Sequence, residues 1–382
     1  MGLNQLKICP FRSGQMKKIL LLLLITPMTL FAQESYQGTS FKTGFIRSMV
    51  VFQNWKIDGI DDRIAEGSLP IFINLPVREN MSLQILHSPA ISRFGDSELS
   101  GLSDTWLRGS YVFPNNRLML SAGLGIPTGK TELTAEEAAL SSIMSQNVFR
   151  FRTPVFGQGL TASAGFMYAF PLSDRFTMGS GLNFVFKNKY KITENMQDDF
   201  NPGEQMGVTL GGSYRFSSGL SIDLDFIYTY FMADKIEDTE IFKAGNKYAV
   251  KGGLRYDGGR TMFLAVGRMR YSDKNDIWDG SALVAEEKNS SLFQMELDAV
   301  YRIKFSPLYS LDLLFEGRSY IENEYLLGQA DIFGGGLGNN IQLTENWGVN
   351  LGFKIFLGDA YYNGIVPNYS GNELNIGTIV RF

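Results

Sequence analysis

From about residue 40 the chain repeats one unit: an alternating run of apolar and polar residues, a tight polar turn, a second such run, then a longer polar stretch. In the run from Leu220 to Tyr230, one phase holds Leu220, Ile222, Leu224, Phe226, Tyr228 and Tyr230. The other phase holds Ser221, Asp223, Asp225, Ile227 and Thr229. Successive strand side chains point to opposite faces, so this segment has one greasy face and one acidic face. From Phe293 to Phe305, Phe293, Met295, Leu297, Ala299, Tyr301, Ile303 and Phe305 alternate with Gln294, Glu296, Asp298, Val300, Arg302 and Lys304. Such runs span roughly 9–13 residues against roughly 5–6 in soluble sheets, the length of a tilted strand crossing a bilayer. Aromatic residues collect near run ends (Phe170 and Phe176, Tyr214 and Phe216, Tyr301 and Phe305), where an interfacial girdle sits.

The connections alternate in length. Arg78-Glu79-Asn80, Pro114-Asn115-Asn116, Ser173-Asp174, Ser217-Ser218-Gly219, Asp257-Gly258-Gly259, Ser306-Pro307 and Thr344-Glu345-Asn346 read as tight turns. Longer polar stretches fall at 88–103, 127–158, 188–204, 272–290 and 357–372. Short periplasmic turns and long outer loops are the signature of an outer-membrane barrel. Seven tight turns with both termini on the periplasmic side predict an all-β, closed antiparallel transmembrane barrel of 16 strands, or 14 if residues 41–90 hold one hairpin fewer. Closure is obligatory, because backbone groups facing lipid must all be paired. The competing fold is a large secreted β-sandwich.

The amino terminus adds the compartment. Met16-Lys17-Lys18 precedes an apolar run and then Ala32, which describes a secretory signal peptide ending at residue 32, with Met16 as the true start. Cys9, the single cysteine, lies upstream of that start, so the mature chain has no thiol for a disulfide or a sulfur-ligated metal. Residues 33–40 then form a short periplasmic segment and 41–382 the barrel. A net charge of -4 argues against nucleic acid as a partner. At the carboxyl end Leu374, Ile376, Thr378, Val380 and Phe382 share a face, and a last strand ending in Phe382 resembles the signal read by the barrel-assembly machinery. Outer-membrane lipid, lipopolysaccharide and a small-molecule solute complete the expected partners.

Gly123-Leu124-Gly125-Ile126-Pro127-Thr128-Gly129-Lys130-Thr131 imitates a phosphate-binding loop. It fails on spacing, because Leu124 stands where the nucleotide motif needs glycine, and Pro127 removes an amide. Together with Leu102-Ser103-Asp104-Thr105 and Tyr111, the stretch resembles the pattern of phenol-degradation-pathway (MetA-type) outer-membrane barrels, relatives of the FadL-type hydrophobic-substrate channels. The match covers roughly residues 100–190. That resemblance implies a channel for hydrophobic or aromatic solutes. FadL-type channels carry an N-terminal plug, for which residues 33–40 leave no room. The loop after Lys130 is the substitute: Thr134 and Glu137 form a capping box, and Ala139, Leu140, Ile143 and Met144 form an apolar stripe at helical spacing. This helix of the third outer loop is expected either to narrow the barrel mouth or to lie on the loop crown.

The polar phase directs Arg108, Arg215, Asp223, Asp225, Lys251, Arg255, Arg268, Arg270, Glu296, Asp298, Arg302, Asp312, Glu316, Arg318 and Lys354 into the lumen. They either hold the wall together as cross-strand ion pairs or orient polar solutes, and with both signs present strong ion selectivity is not expected. His87, the single histidine, shares a phase with Leu83 and Ile85 toward lipid, which speaks against a Ser-His or His-metal centre. The loop carboxylates Asp58, Asp61, Asp62 and Asp273, Asp276, Asp279 read as solvated charge. No catalytic, cofactor or metal site is expected. The function read from sequence is a passive outer-membrane channel, with a non-conducting surface protein or a membrane-embedded hydrolase as rivals.

Overall fold

The computed structural model describes residues 43–382 except 115, 154–155, 217–218 and 362–365, so the signal peptide and the segment 33–40 lie outside the described residues. Strand β1 is Phe45–Ile57. The next three strands are each interrupted once: β2 is Arg63–Ser68 continuing as Ile71–Arg78, β3 is Met81–His87 with Ala90–Phe94, and β4 is Ser97–Gly101 with Thr105–Val112. Then follow β5 (Leu118–Ile126), β6 (Thr161–Pro171), β7 (Phe176–Lys187), β8 (Gln205–Arg215), β9 (Leu220–Phe231) and β10 (Lys247–Asp257). The rest are β11 (Thr261–Ser272), β12 (Phe293–Ser306), β13 (Tyr309–Ile321), β14 (Gln329–Gln342), β15 (Trp347–Tyr361) and β16 (Asn368–Arg381). Each strand pairs antiparallel with the next, and β1 pairs with β16 from Phe45↔Arg381 to Ile57↔Tyr369, which closes a 16-strand barrel. Gly44 and Phe382 finish that seam by exchanging backbone hydrogen bonds.

The interruptions have chemical causes. Pro70 and Pro89 lack the N–H that a ladder position needs. Their carbonyls stay in use, accepting from Met49 N at 3.1 Å and Leu69 N at 2.9 Å, so the pairing resumes in register. In β4 the register against β3 shifts by one residue, from Ala90↔Gly101 above to Leu86↔Trp106 below. This bulge at 102–104 re-aims Asp104 away from the wall.

The two faces separate as the period requires. Outward positions are exposed and apolar, as at Phe52, Leu224, Phe333 and Leu357, while inward neighbours such as Gln53, Glu296, Glu316 and Arg318 are buried. Exposed rings gather at the tight-turn end, where Tyr168 meets Phe170, Tyr214 meets Phe216 and Phe305 stacks on Tyr309. No helix among the described residues is long and apolar enough to cross a membrane; the strands make the crossing.

Two stretches read as loops are wall instead. Within 88–103, Ala90 and Ser92 are buried inward while Ile91 points outward, so this stretch is the top of β3 and β4 around a turn at Gly95-Asp96. Its serines and charges suggest a loop because the inward face is polar. Likewise β15 runs on to Tyr361 and β16 begins at Asn368, inside the stretch 357–372. Alternation also misses a second sheet. Phe200–Asn201, Asp234–Ile236, Thr239–Lys243, Asp276–Trp278 and Leu283–Ala285 pair across three outer loops into a five-stranded crown. These strands are too short to show a period.

Candidate functional site

The site is the interior of the ring, and the described residues of the connection between β5 and β6 build it. Their stem is fixed by Asp104. Its carboxylate accepts from Gly129 N at 3.0 Å and from Gln158 N at 2.7 Å, while its own N–H donates to Phe156 O at 2.9 Å. The two sides of the stem approach so closely that a Cβ on Gly129 would lie 1.9 Å from the Phe156 carbonyl oxygen, and one on Gly157 2.7 Å from that of Lys130. Glycine is therefore demanded at both positions. Thr128 Oγ1 adds a bond to Ser103 O at 2.9 Å.

Beyond the stem comes helix α1 (Ala135–Met144), capped by Thr134, whose side chain accepts from Glu137 N while the Glu137 carboxylate accepts from Thr134 N. Burial alone would push the Glu137 carboxyl up, but Lys130 and the N-cap amide hold it below its ordinary value. Leu140 and Met144 are buried and Ile143 is partly buried, packed with Ala90 and Leu99 of the β3–β4 hairpin. Those two residues sit on the inward phase, so α1 lies against the inner wall. The stripe is rotated from the sequence expectation: Ala138 and Ser141 are buried and Ala139 is exposed.

Residues 147–153 then cross the ring. Arg150 pairs with Asp298 of β12 at 3.2 Å and with Glu316 of β13, and β13 is half a ring away from β5. Asp298 and Glu316 face each other across β12 and β13, a like-charge pair that is destabilising unless a cation sits between them. Arg150 adopts φ 51, the left-handed region that costs a non-glycine residue about 1–3 kcal/mol, and the two carboxylates hold it there. Arg152 pairs with Glu373 of β16 at 3.2 Å. The amides of Arg152 and Thr153 donate to Glu66 of β2 at 2.9 and 3.2 Å. Gln53 Nε2 of β1 donates to Phe149 O at 2.6 Å, Tyr320 OH to Asn147 O at 2.7 Å, and Arg318 to Val148 O.

Alternate residues of the same segment are apolar. Phe149 and Phe151 are fully buried, and Phe149 packs on Trp55 with ring centroids 5.7 Å apart. Trp55 stacks on Phe356 at 5.1 Å, and the Arg318 guanidinium covers both rings. Gly371 lies under Trp55, where a Cβ would come within 2.7 Å of the indole. The lumen is therefore crossed by a segment with an apolar core and a charged edge.

The residues assigned inward from sequence fall into two groups. Paired ones are Arg268 and Arg270 with Glu296 (3.5 and 3.2 Å), Arg302 with Asp312 (2.7 Å), and Lys354 and Arg318 with Glu316 (both 3.1 Å). Asp298 joins Arg150, and Asp225 stands opposite Lys251 in the register. Arg108, Arg215 and Arg255 are exposed on the inward phase and make no ion pair with a described residue, and neither does Asp223. Among the described residues His87 makes one side-chain hydrogen bond, at Nδ1, 3.0 Å from Thr105 Oγ1. Sequence reasoning misses Gln53, Trp55, Glu66, Asp104, Glu373 and the loop arginines. Phe149-Arg150-Phe151-Arg152 carries an alternating signal, but only the tertiary fold says what it faces.

A closed ring with a greasy exterior, an aromatic girdle and a charged interior defines an outer-membrane β-barrel, and the chain is one, of the bacterial outer membrane. No protein-family model and no curated protein matches it. Among solved structures, the high-pH structure of Pseudomonas putida OprB is similar over 89% of this chain and 94% of its own, at 11% identity and a TM-score of 0.52. Pseudomonas aeruginosa OccK5 (OpdH) matches over 89% and 98%, at 12% identity and a TM-score of 0.44. The likeness to OprB shows the barrel fold. The resemblance to phenol-degradation-pathway barrels stands on the motif residues alone.

Proposed function

We propose that this barrel is a passive channel for small molecules whose passage is narrowed by its third outer loop. A barrel of this strand number cannot fill its interior with wall side chains alone. What supports the reading is the manner in which residues 147–153 occupy the space: they are held to the wall mainly by ion pairs and hydrogen bonds at their edge, contacts that can be exchanged for water. Trp55, Phe149 and Phe356 are buried together while the loop is docked and would offer ring surface to a hydrophobic or aromatic solute once it is released, in keeping with the family resemblance, and the inward charges set size and charge limits. No chemistry is performed. Lipid and lipopolysaccharide meet the outer face, and Phe382 at the closing seam is the residue offered to the assembly machinery.

A second reading has its own observation. Met144, Phe149 and Phe151 are almost wholly buried, as in a permanent plug, which suits a non-conducting surface protein. Planar-bilayer recording separates the two. The channel reading expects conductance from the intact chain and a larger unitary step after deletion of 134–146. Identical steps would end the narrowing role, and silence from both proteins would favour the plug.

A further inference from the structure

Charge inside the ring is unevenly spent. The carboxylates Glu296, Glu316, Glu373 and Asp312 each have a basic partner within ion-pair distance. Among the inward arginines that make no ion pair with a described residue are Arg108, Arg215 and Arg255. Arg215 and Arg255 occupy one cross-strand row, separated by Ser221 of β9, so their backbones stand about 10 Å apart, two strand spacings. Both are exposed on the inward phase near the tight-turn end. Arg108, also inward and exposed, stands on β4, four strands round the ring from Arg215. The opposing charge is Asp223, diagonal to both Arg215 and Arg255, while Asp225 is matched by Lys251. The chain as a whole carries -4, so this surplus of base is a property of the lumen and not of the composition.

We infer that the tight-turn half of the lumen binds small organic anions, carboxylates in particular, with Arg215 and Arg255 as the ligands and Arg108, farther round the ring, adding to the positive field. The guanidinium fork matches a carboxylate in two parallel hydrogen bonds, and a cleft lined by one unspent sign concentrates the opposite ion. The inference rests on the channel reading and names its solute class. It also replaces the sequence expectation of weak selectivity: both signs are present, but the ion-paired acids leave an unpaired surplus of bases.

The test combines two measurements on the full-length barrel and on the triple variant Arg108→Gln, Arg215→Gln, Arg255→Gln, with heat-modifiable gel mobility confirming that both are folded. In a potassium chloride gradient at low salt, the wild type should favour chloride about tenfold, the lower end of enrichment in a one-sign cleft. The triple variant should lose most of that preference. Benzoate titrated into the detergent-solubilised protein should bind the wild type and be weakened at least severalfold in the variant. A conducting wild type without anion preference overturns the inference and leaves the channel intact. If the barrel does not conduct, the channel reading falls, and the titration decides the site alone: benzoate binding lost in the variant upholds it, equal binding refutes it.

Discussion

Removal of the Arg150 guanidinium is the sharpest perturbation of the lumen. Arg150 has a side chain 11% exposed, lies between Asp298 and Glu316, and is the point at which the loop reaches the far wall. Breaking a buried pair costs about 3–5 kcal/mol, mostly because it strands the partner charges. The lower end applies here, since Glu316 keeps Arg318 and Lys354 and the Asp298 side chain is 29% exposed. About 3 kcal/mol corresponds to about a hundredfold in the ratio of docked to released loop. The wall should not share the loss, because its ladders do not involve the loop. Arg150→Gln should therefore lower amide-exchange protection of residues 147–153 by about a hundredfold while β10 and β11 stay unchanged. Arg150→Gly separates charge from backbone: glycine accepts the left-handed conformation freely, so a variant that loses protection equally traces the effect to the charge. Pairing with Glu316→Gln closes a double-mutant cycle, expected to show coupling above about 1 kcal/mol. Protection equal to wild type in Arg150→Gln, or zero coupling in the cycle, would refute the ion-pair anchor.

Two further outcomes follow from the stem and the crown. Asp104→Ala removes an ionised acceptor from two backbone amides, worth about 1.5–3 kcal/mol each, and should speed proteolytic cutting within 127–158 by at least tenfold; unchanged cutting would show that the glycine packing holds the stem without it. Asp234, in the outer crown, is pushed up to about 6 by burial, with the Gly203 amide and Lys187 pulling the other way. Its folded value lies above the unfolded one of about 3.9, so the carboxyl stabilises the crown most below that value. That contribution is lost as pH rises toward about 6, and exchange corrected for intrinsic rates should show residues 234–243 better protected at pH 4.5 than at pH 7, with Asp234→Asn nearly flat. A wild-type profile as flat as the variant's would contradict this.

The wall was legible in sequence because a bilayer imposes two chemically opposite faces on every strand, and the tight turns at Glu79-Asn80, Ser173-Asp174 and Ser306-Pro307 punctuate it. Legibility failed where the inner face was polar to the tip, as at Ala90 to Gly101, and where strands were too short for a period, as in the crown. The capping box at Thr134 was readable since capping is local. The anchoring was not, because Glu66, Glu373 and Gln53 look like ordinary inward residues until the loop is seen to pass them. Asp104 shows a third case: it stands within a recognisable motif, yet its clamp on Gly129 and Gln158 needs a bulge that no spacing rule announces.

The inward loop touches β1 through Gln53, β2 through Glu66 and β16 through Glu373, the strands on either side of the junction where the first and last strands meet. Residues 147–153 thus work as an internal clasp over the join. Glu373 can meet Arg152 only once the final strand is in place, so this part of the clasp forms no earlier than the join itself. A shortened loop would then leave a wider hole and also a less firmly held join, two effects that electrical recording and heat-modifiable gel mobility report separately.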